Sequence, residues 1–184
     1  EGLLITASGS HFDEITPGHM VVTDFSGRHQ GALKPSSELS FHAAIYRARP
    51  DVGAVVHAHS PWATTLACMH RSIPPFHYMV AVAGGHDIPC VPYATFGSEQ
   101  LGEHITEGLQ HRDACLMANH GLVAVGKSVS AAMELALEVE VLARCYGQIL
   151  GTGEPVLLEP AQMDEVISRF HSYRAQARLS DELQ

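Results

Sequence analysis

Residues 49–60 read RPDVGAVVHAHS, and the last six of them, VVHAHS, decide how the chain is built. Val55 and Val56 continue an apolar run suited to a buried strand. In an extended strand, residues two apart share a face, so His57 and His59 project side by side while Ala58 points away. Two adjacent imidazoles fill a core poorly and hold a metal ion well.

On the N-terminal side, GLLIT (2–6) and HMVVTD (19–24) read as strands separated by the turn-rich SGSHFDEITPG. After Lys34-Pro35, SSELSFHAAIYRAR carries apolar or aromatic residues at 39, 41, 44, 45 and 48, near helical spacing, and stops before Pro50. On the C-terminal side, PWATTLACMH reads as a helix with Pro61 in its first turn. Short strands are expected around 76–82 and 88–92. SEQLGEHITEGLQHR is an amphipathic helix, and ACLMANHGLVAVG reads as two strands meeting at His120-Gly121. A helix rich in Ala, Leu, Glu and Met follows from Ser128 to Leu150 and ends at Gly151. Pro160 introduces a last helix over 161–178. This interleaving predicts a layered α/β domain with helices on both faces of one sheet. Several strand connections are too short for a parallel crossover, so part of that sheet is expected to be antiparallel.

At 184 residues, 46% of them hydrophobic, the chain is long enough for one domain with its own core. A formal net charge of −9 without any Lys/Arg run argues against a nucleic-acid groove or an anionic membrane surface. Attraction for an anionic substrate must then be local, from a metal or a helix N-terminus. Cys68, Cys90, Cys115 and Cys145 are scattered through apolar surroundings and read as buried, reduced thiols of a cytoplasmic protein. No apolar stretch reaches membrane-spanning length and no signal peptide opens the chain. The opening EGLLIT is already strand-like, which leads us to expect further residues upstream.

Thirteen histidines is a high count. His11, His19, His29, His70, His104, His111 and His171 stand in polar or amphipathic surroundings and read as surface or capping residues. His57 and His59 stand apart, and His120, at the end of the apolar strand CLMAN, joins them. Three imidazoles from two strand ends, with a fourth position open, form the pattern of a catalytic zinc site. The all-nitrogen set selects zinc over magnesium or calcium.

Glu38 falls in the first turn of the helix expected from Pro35-Ser36, where a carboxylate complements the helix macrodipole. Ser36 and Ser37 read most simply as an N-cap pair. A second reading makes those hydroxyls and free amides an anion cradle suited to phosphate, to which the S-G-S turn at 8–10 adds amides.

Taken together, PSSE (35–38), RPDVGAVVHAHS (49–60), IPPFHYMVAVAGGHDIPCVPYATFGSEQL (73–101), NHGLVAVG (119–126) and ELALEVEVLA (134–143) resemble the class II aldolase/adducin family over nearly the whole chain. The resemblance implies a three-layer α/β/α domain around a single, mostly antiparallel sheet. It also implies a homotetramer with active sites at subunit interfaces. In that reading His57, His59 and His120 hold one zinc per subunit, and Glu38 is the catalytic acid/base. Ser8, Gly9, Ser36 and Ser37 bind the substrate phosphate, and Tyr78 reaches into a neighbouring subunit's site. The implied reaction cleaves a ketose 1-phosphate to dihydroxyacetone phosphate and an aldehyde, with the metal stabilising an enediolate. Tyr78 would serve as acid toward the aldehyde-side oxygen.

Only Lys34 and Lys127 are available for a Schiff base, which weighs against lysine chemistry. Family members also include aldolases of 5-deoxy- or methylthio-pentulose 1-phosphates, a methylthioribulose-1-phosphate dehydratase, decarboxylases, pentulose-phosphate 4-epimerases and the non-catalytic adducin heads. The epimerases usually carry aspartate where Glu38 stands, and the adducin heads no longer need the histidines. The family's N-terminal helix and Gly-rich loop, with its phosphate-binding asparagine, have no counterpart in this sequence.

Overall fold

Period-two alternation in the first strand builds the smaller of two sheets. In the computed structural model, which describes residues 2–10 and 12–181, β1 (Gly2–Thr6) buries Leu3 and Ile5 and exposes Leu4. It pairs antiparallel with β2 (Met20–Asp24) in the register Leu3↔Thr23 and Ile5↔Val21, so the buried residues of both strands share one face. Phe25, Leu39 and Tyr46 cover that face. Beyond β2 the chain reverses around Asp24. The Asp24 carboxylate accepts bonds from the Ser26 hydroxyl at 2.6 Å and Arg28 Nε at 2.7 Å, which hold it well below the usual carboxylate range. Two helices complete this compact unit, α1 (Leu39–Ala48) and α3 (Glu99–Gly108). They approach closely at Gly102, where an added Cβ would stand 3.2 Å from that of Ala44.

The unit just described comprises the residues up to Pro50 together with Ala94–Glu107; a second comprises Asp51–Tyr93 and the residues from Gly108 on. The second is built on four strands, β3 (Ala54–Ala58), β4 (Cys90–Val91), β5 (Ala114–Met117) and β6 (Gly121–Gly126), ordered β3-β6-β5-β4. β3–β6 and β6–β5 are antiparallel, and β5–β4 is parallel. One face of this sheet presents Val56, Ala114, Leu116, Leu122 and Ala124 to α2 (Pro61–Cys68) and α4 (Val129–Leu150). Ala63 and Ala67 of α2 and Ala136 and Ala143 of α4 let the two helices lie close to each other and to the strands. Leu66, Leu116 and Leu122 are fully buried there, each worth about 1.5–3 kcal/mol of transfer free energy. Ser128 caps α4 by accepting the Ala131 N–H at 3.2 Å. The last helix, α5 (Pro160–Asp181), contributes Met163 to the same core.

The class is α/β, as expected, but the strands are distributed over two sheets where one was expected. Alternation reveals that a segment is a strand, not which strand it joins. The 76–82 stretch is not a strand: Tyr78–Ala83 winds into a 3-10 helix. His77 starts it by accepting the Met79 N–H at 3.2 Å, and Gly84, in the left-handed region at φ 87°, ends it. α1 begins at Leu39, later than expected, because Pro35 is bridged in extended conformation to Ala7. The expectation of four buried thiols also fails. Cys115 is buried, whereas Cys68 and Cys145 lie exposed, since an apolar neighbour along a helix does not share a residue's face. Among the described residues no helix is long and apolar enough to cross a membrane.

Candidate metal centre

Register decides where the histidines point. His57 pairs with Val123, one residue out of step with the Val56–Ala124 and Ala58–Leu122 pairs, so its ring leaves the sheet on the face away from α2 and α4. Its Nδ1 donates to the Leu122 carbonyl at 2.8 Å. A neutral imidazole bonded this way keeps its proton on Nδ1 and presents Nε2 as a lone pair. His59 follows one residue beyond the end of β3.

His120 ends the tight turn between β5 and β6. Asn119 before it adopts the left-handed conformation, φ 56°, which asparagine tolerates better than most residues. The Asn119 N–H donates to the Ala67 carbonyl at 3.1 Å, and its Oδ1 lies 2.5 Å from His70 Nε2. His70, just past the end of α2, is itself left-handed at φ 52°. These two unusual backbone positions meet and tie the His120 turn to the end of α2.

The three rings converge. Their centroids lie 4.8, 4.9 and 4.9 Å apart, and His57 Nε2 stands 3.0 Å from His59 Nε2. One ligand atom from each of the three lies within 4.8 Å of the other two. A tetrahedral ion with nitrogen ligands at about 2.0–2.1 Å needs those nitrogens roughly 3.3 Å apart. The cluster therefore fits a divalent ion after small ring rotations. Burial, and then the neighbouring His59, hold the His120 imidazole below the ordinary histidine range, which favours the neutral, ligating form.

Close packing carries the geometry. A Cβ on Gly121 would stand 2.5 Å from the Ala58 carbonyl oxygen and 3.0 Å from His59 Cδ2. Gly121→Ala is expected to weaken metal binding tenfold or more and to lower stability by about 1–3 kcal/mol, as overpacking does. Chelator competition and thermal melts check the two effects separately.

The phosphate candidates all belong to the first unit. The Ser8 N–H donates to the Lys34 carbonyl at 2.9 Å and the Ser36 N–H to the Thr6 carbonyl at 3.0 Å. This antiparallel register sets Ser8 opposite Lys34 and Ser36 opposite Thr6, so 8–9 and 36–37 flank the Ala7–Pro35 bridge on opposite sides. Those two amides are engaged by the backbone, and the Ser36 hydroxyl accepts the Glu38 N–H at 3.2 Å. Gly9 is left-handed at φ 74°, with nothing near its missing Cβ.

Glu38 occupies the N-cap position of α1, but its side chain does not cap the helix. Burial raises its pKa above the ordinary carboxylate value. Four residues on, His42 stacks on Phe41 at 4.6 Å, and burial lowers its pKa to about 4. Glu38, Ser8, Gly9, Ser36 and Ser37 belong to the first unit; the three histidines and Tyr78 belong to the second. Tyr78 is half exposed, with its ring against His77 at 4.9 Å and Phe170 at 6.4 Å.

Of the histidines expected to cap or sit at the surface, His19 Nδ1 accepts the Thr16 N–H at 3.1 Å and His29 Nδ1 lies 2.9 Å from the Gly27 carbonyl. His11 and the side chain of His171 lie outside the described residues. An open groove of about 930 Å³ runs along β2 and residues 28–33. Its charged groups, Asp24 and Arg28, bind each other.

One carboxylate that the sequence reading passes over lies beside the triad's own strand. Glu140 of α4 accepts the Trp62 N–H on Oε1 at 2.9 Å, and the Ala63 N–H and Ser60 O–H on Oε2 at 2.8 and 2.6 Å. The signal was present within ELALEVEVLA: Glu140 follows Ala136 by four and precedes Ala143 by three, which places a charge in the helix's buried stripe.

The family described as "Class II Aldolase and Adducin N-terminal domain" matches residues 1–147. A Rhodospirillum rubrum protein named 5-methylthioribulose-1-phosphate/5-deoxyribulose-1-phosphate aldolase is 48% identical over 97% of this chain and 81% of its own length. The L-fuculose phosphate aldolase of Escherichia coli is 44% identical over 94% of this chain and 81% of its own. Among solved structures, an L-fuculose 1-phosphate aldolase superposes with a TM-score of 0.86 at 38% identity, covering 91% of this chain and 79% of that one.

Proposed function

This chain belongs to the class II aldolase and adducin family, and from that premise we propose that it is a zinc-dependent lyase cleaving a ketose 1-phosphate to dihydroxyacetone phosphate and an aldehyde. The observation that carries the proposal is the convergence of His57, His59 and His120, whose ligand atoms lie within 4.8 Å of one another. An ion held there by neutral imidazoles keeps its charge and supplies Lewis acidity toward the ketose carbonyl and its adjacent hydroxyl.

The remaining work falls to the chain's own side chains. Glu38 moves the proton at the carbon that becomes dihydroxyacetone phosphate, and its raised pKa suits a group that must both accept and return that proton. Ser8, Gly9, Ser36 and Ser37 hold the phosphate, a role supported by the Ala7–Pro35 bridge, which joins the two segments that carry them. Tyr78 serves as acid toward the aldehyde-side oxygen, and its half-exposed ring is accessible for a neighbouring subunit's site. We read the chain as a single domain of the family in a cytoplasmic homotetramer. Support for assembly comes from Val129, Met133, Leu137 and Val141, which leave an exposed apolar stripe at four-residue spacing along α4.

The aldehyde half is the open choice. L-Fuculose 1-phosphate is the first reading. The 48% identity to a protein named for 5-methylthio- and 5-deoxyribulose 1-phosphates favours a second, in which only the aldehyde pocket differs. Zinc-loaded protein incubated with each of these three ketose phosphates is expected to release dihydroxyacetone phosphate from at least one, read by coupled reduction. No release from any of them would sink the aldolase assignment. Loss of water from the methylthio substrate without that product would put a dehydratase in its place.

A further inference from the structure

We propose that Glu140 is a positioning residue for the metal centre: its carboxylate fixes the segment that follows His59 and so sets where that ligand stands. This rests on the reading of the histidine triad as a metal site.

The need arises from local geometry. His59 is followed directly by Ser60 and then by α2, whose first turn has backbone N–H groups without helical partners. Pro61 has no N–H to satisfy, which leaves Trp62 and Ala63. Ser60 stands at the N-cap position, yet its side chain makes no capping bond. Its hydroxyl donates instead to Glu140, and the same carboxylate takes both amides. A residue 77–80 positions away thus does the capping. The positive end of the α2 dipole favours an anion at this place.

Three bonds to one carboxylate restrain position as well as energy. Glu140 rises from the middle of the 22-residue α4, next to Val139 and two and three residues before Leu142 and Ala143, all buried against the sheet. Its base therefore cannot drift. Ser60, Trp62 and Ala63 are held to it, and His59 is one bond upstream of the first.

The far end of α2 is tied as well, through the Ala67 carbonyl to Asn119 and through His70 to the Asn119 side chain. α2 accordingly spans the two ligand segments as a strut roughly 12 Å long for its eight residues. Glu140 anchors the His59 end of that strut.

A cap that merely stabilised α2 would shift the melting temperature and leave the bound ion's surroundings alone. A positioning residue must change the ion's affinity and ligand field in protein that is still folded. Glu140→Gln keeps the shape, but its NH2 group faces one of the donors now accepted by Oε1 or Oε2, so at least one bond is lost. The measurement is Co²⁺ binding to the full chain, by chelator competition and by the visible d–d spectrum, well below the melting temperature.

The expected result is a 10–100-fold weaker Co²⁺ affinity, the range found for partners that orient ligands, with altered d–d bands. Affinity within twofold of wild type and an unchanged spectrum in folded Glu140→Gln would overturn the proposal. Should that variant not fold, Ser60→Ala carries the test: threefold or greater weakening supports it and an unchanged affinity overturns it. His57→Ala runs alongside. If it abolishes Co²⁺ binding, the triad is the metal site, and a null result at Glu140 counts against Glu140 alone. If Co²⁺ binding survives it, the metal reading and this proposal fall together.

Discussion

Replacing Glu38 with glutamine is expected to lower turnover by about 10²–10⁴, the usual worth of a positioned acid/base, while zinc content stays at the wild-type level. The amide matches the carboxyl in size, so packing at the start of α1 is retained. What disappears is the capacity to accept and return a proton. Burial already raises this carboxyl's pKa, so its protonated and ionised forms are closer in free energy than on an exposed glutamate. The decisive measurement is kcat on the best ketose 1-phosphate beside metal analysis of the same sample. Full turnover with full zinc would remove Glu38 from the reaction. Loss of zinc together with turnover would assign it to the metal instead.

His57→Ala is expected to have the larger effect on the ion itself. The weakening should exceed the roughly 10–100-fold typical of outer-shell changes, so that purified protein retains little zinc and turnover falls with it. His57 contacts both other members of the triad, with its Nε2 3.0 Å from that of His59 and its ring 4.9 Å from that of His120. The backbone pairing of residue 57 with Val123 does not depend on the imidazole, so β3 should still form. A metal-free melting temperature close to that of metal-free wild type would confirm that the fold survived. Unchanged zinc stoichiometry would reject the ligand set.

Both substitutions concern residues that the sequence brings forward, Glu38 through the family resemblance and His57 through periodicity. His57 and His59 stand out because alternation in VVHAHS fixes their common face, and His120 because an apolar strand stops just before it. The same logic located β1, β2, α2 and α4 closely, since each carries a period of 2 or 3.6, while β5 and β6 were legible as short continuous apolar runs, buried on both faces, that meet at His120-Gly121. It failed at one such apolar run. YMVAVA reads as strand-like by composition, yet capping by His77 and the left-handed Gly84 wind it into a short 3-10 helix.

Pairing partners were also beyond reach. Nothing within GLLIT or MVVTD says that these strands bond to each other and form a sheet distinct from the four-stranded one. Supporting contacts were hidden for a related reason. The Asn119–His70 bond and the Glu140 carboxylate join residues 49 and up to 80 positions apart, and single residues do not advertise such partners.

One further property follows from the placement of the ligands across two strands. β3 is the outermost strand of the four-stranded sheet, and β6 is its neighbour there. His57 lies within the first and His120 directly precedes the second, so a bound ion is a crosslink between them. Peeling β3 from its neighbour then requires giving up the ion as well as the main-chain ladder. Slow amide hydrogen exchange along residues 54–58 should accordingly report occupancy, with protection deepened by about 4 kcal/mol when free ion stands a thousandfold above its dissociation constant.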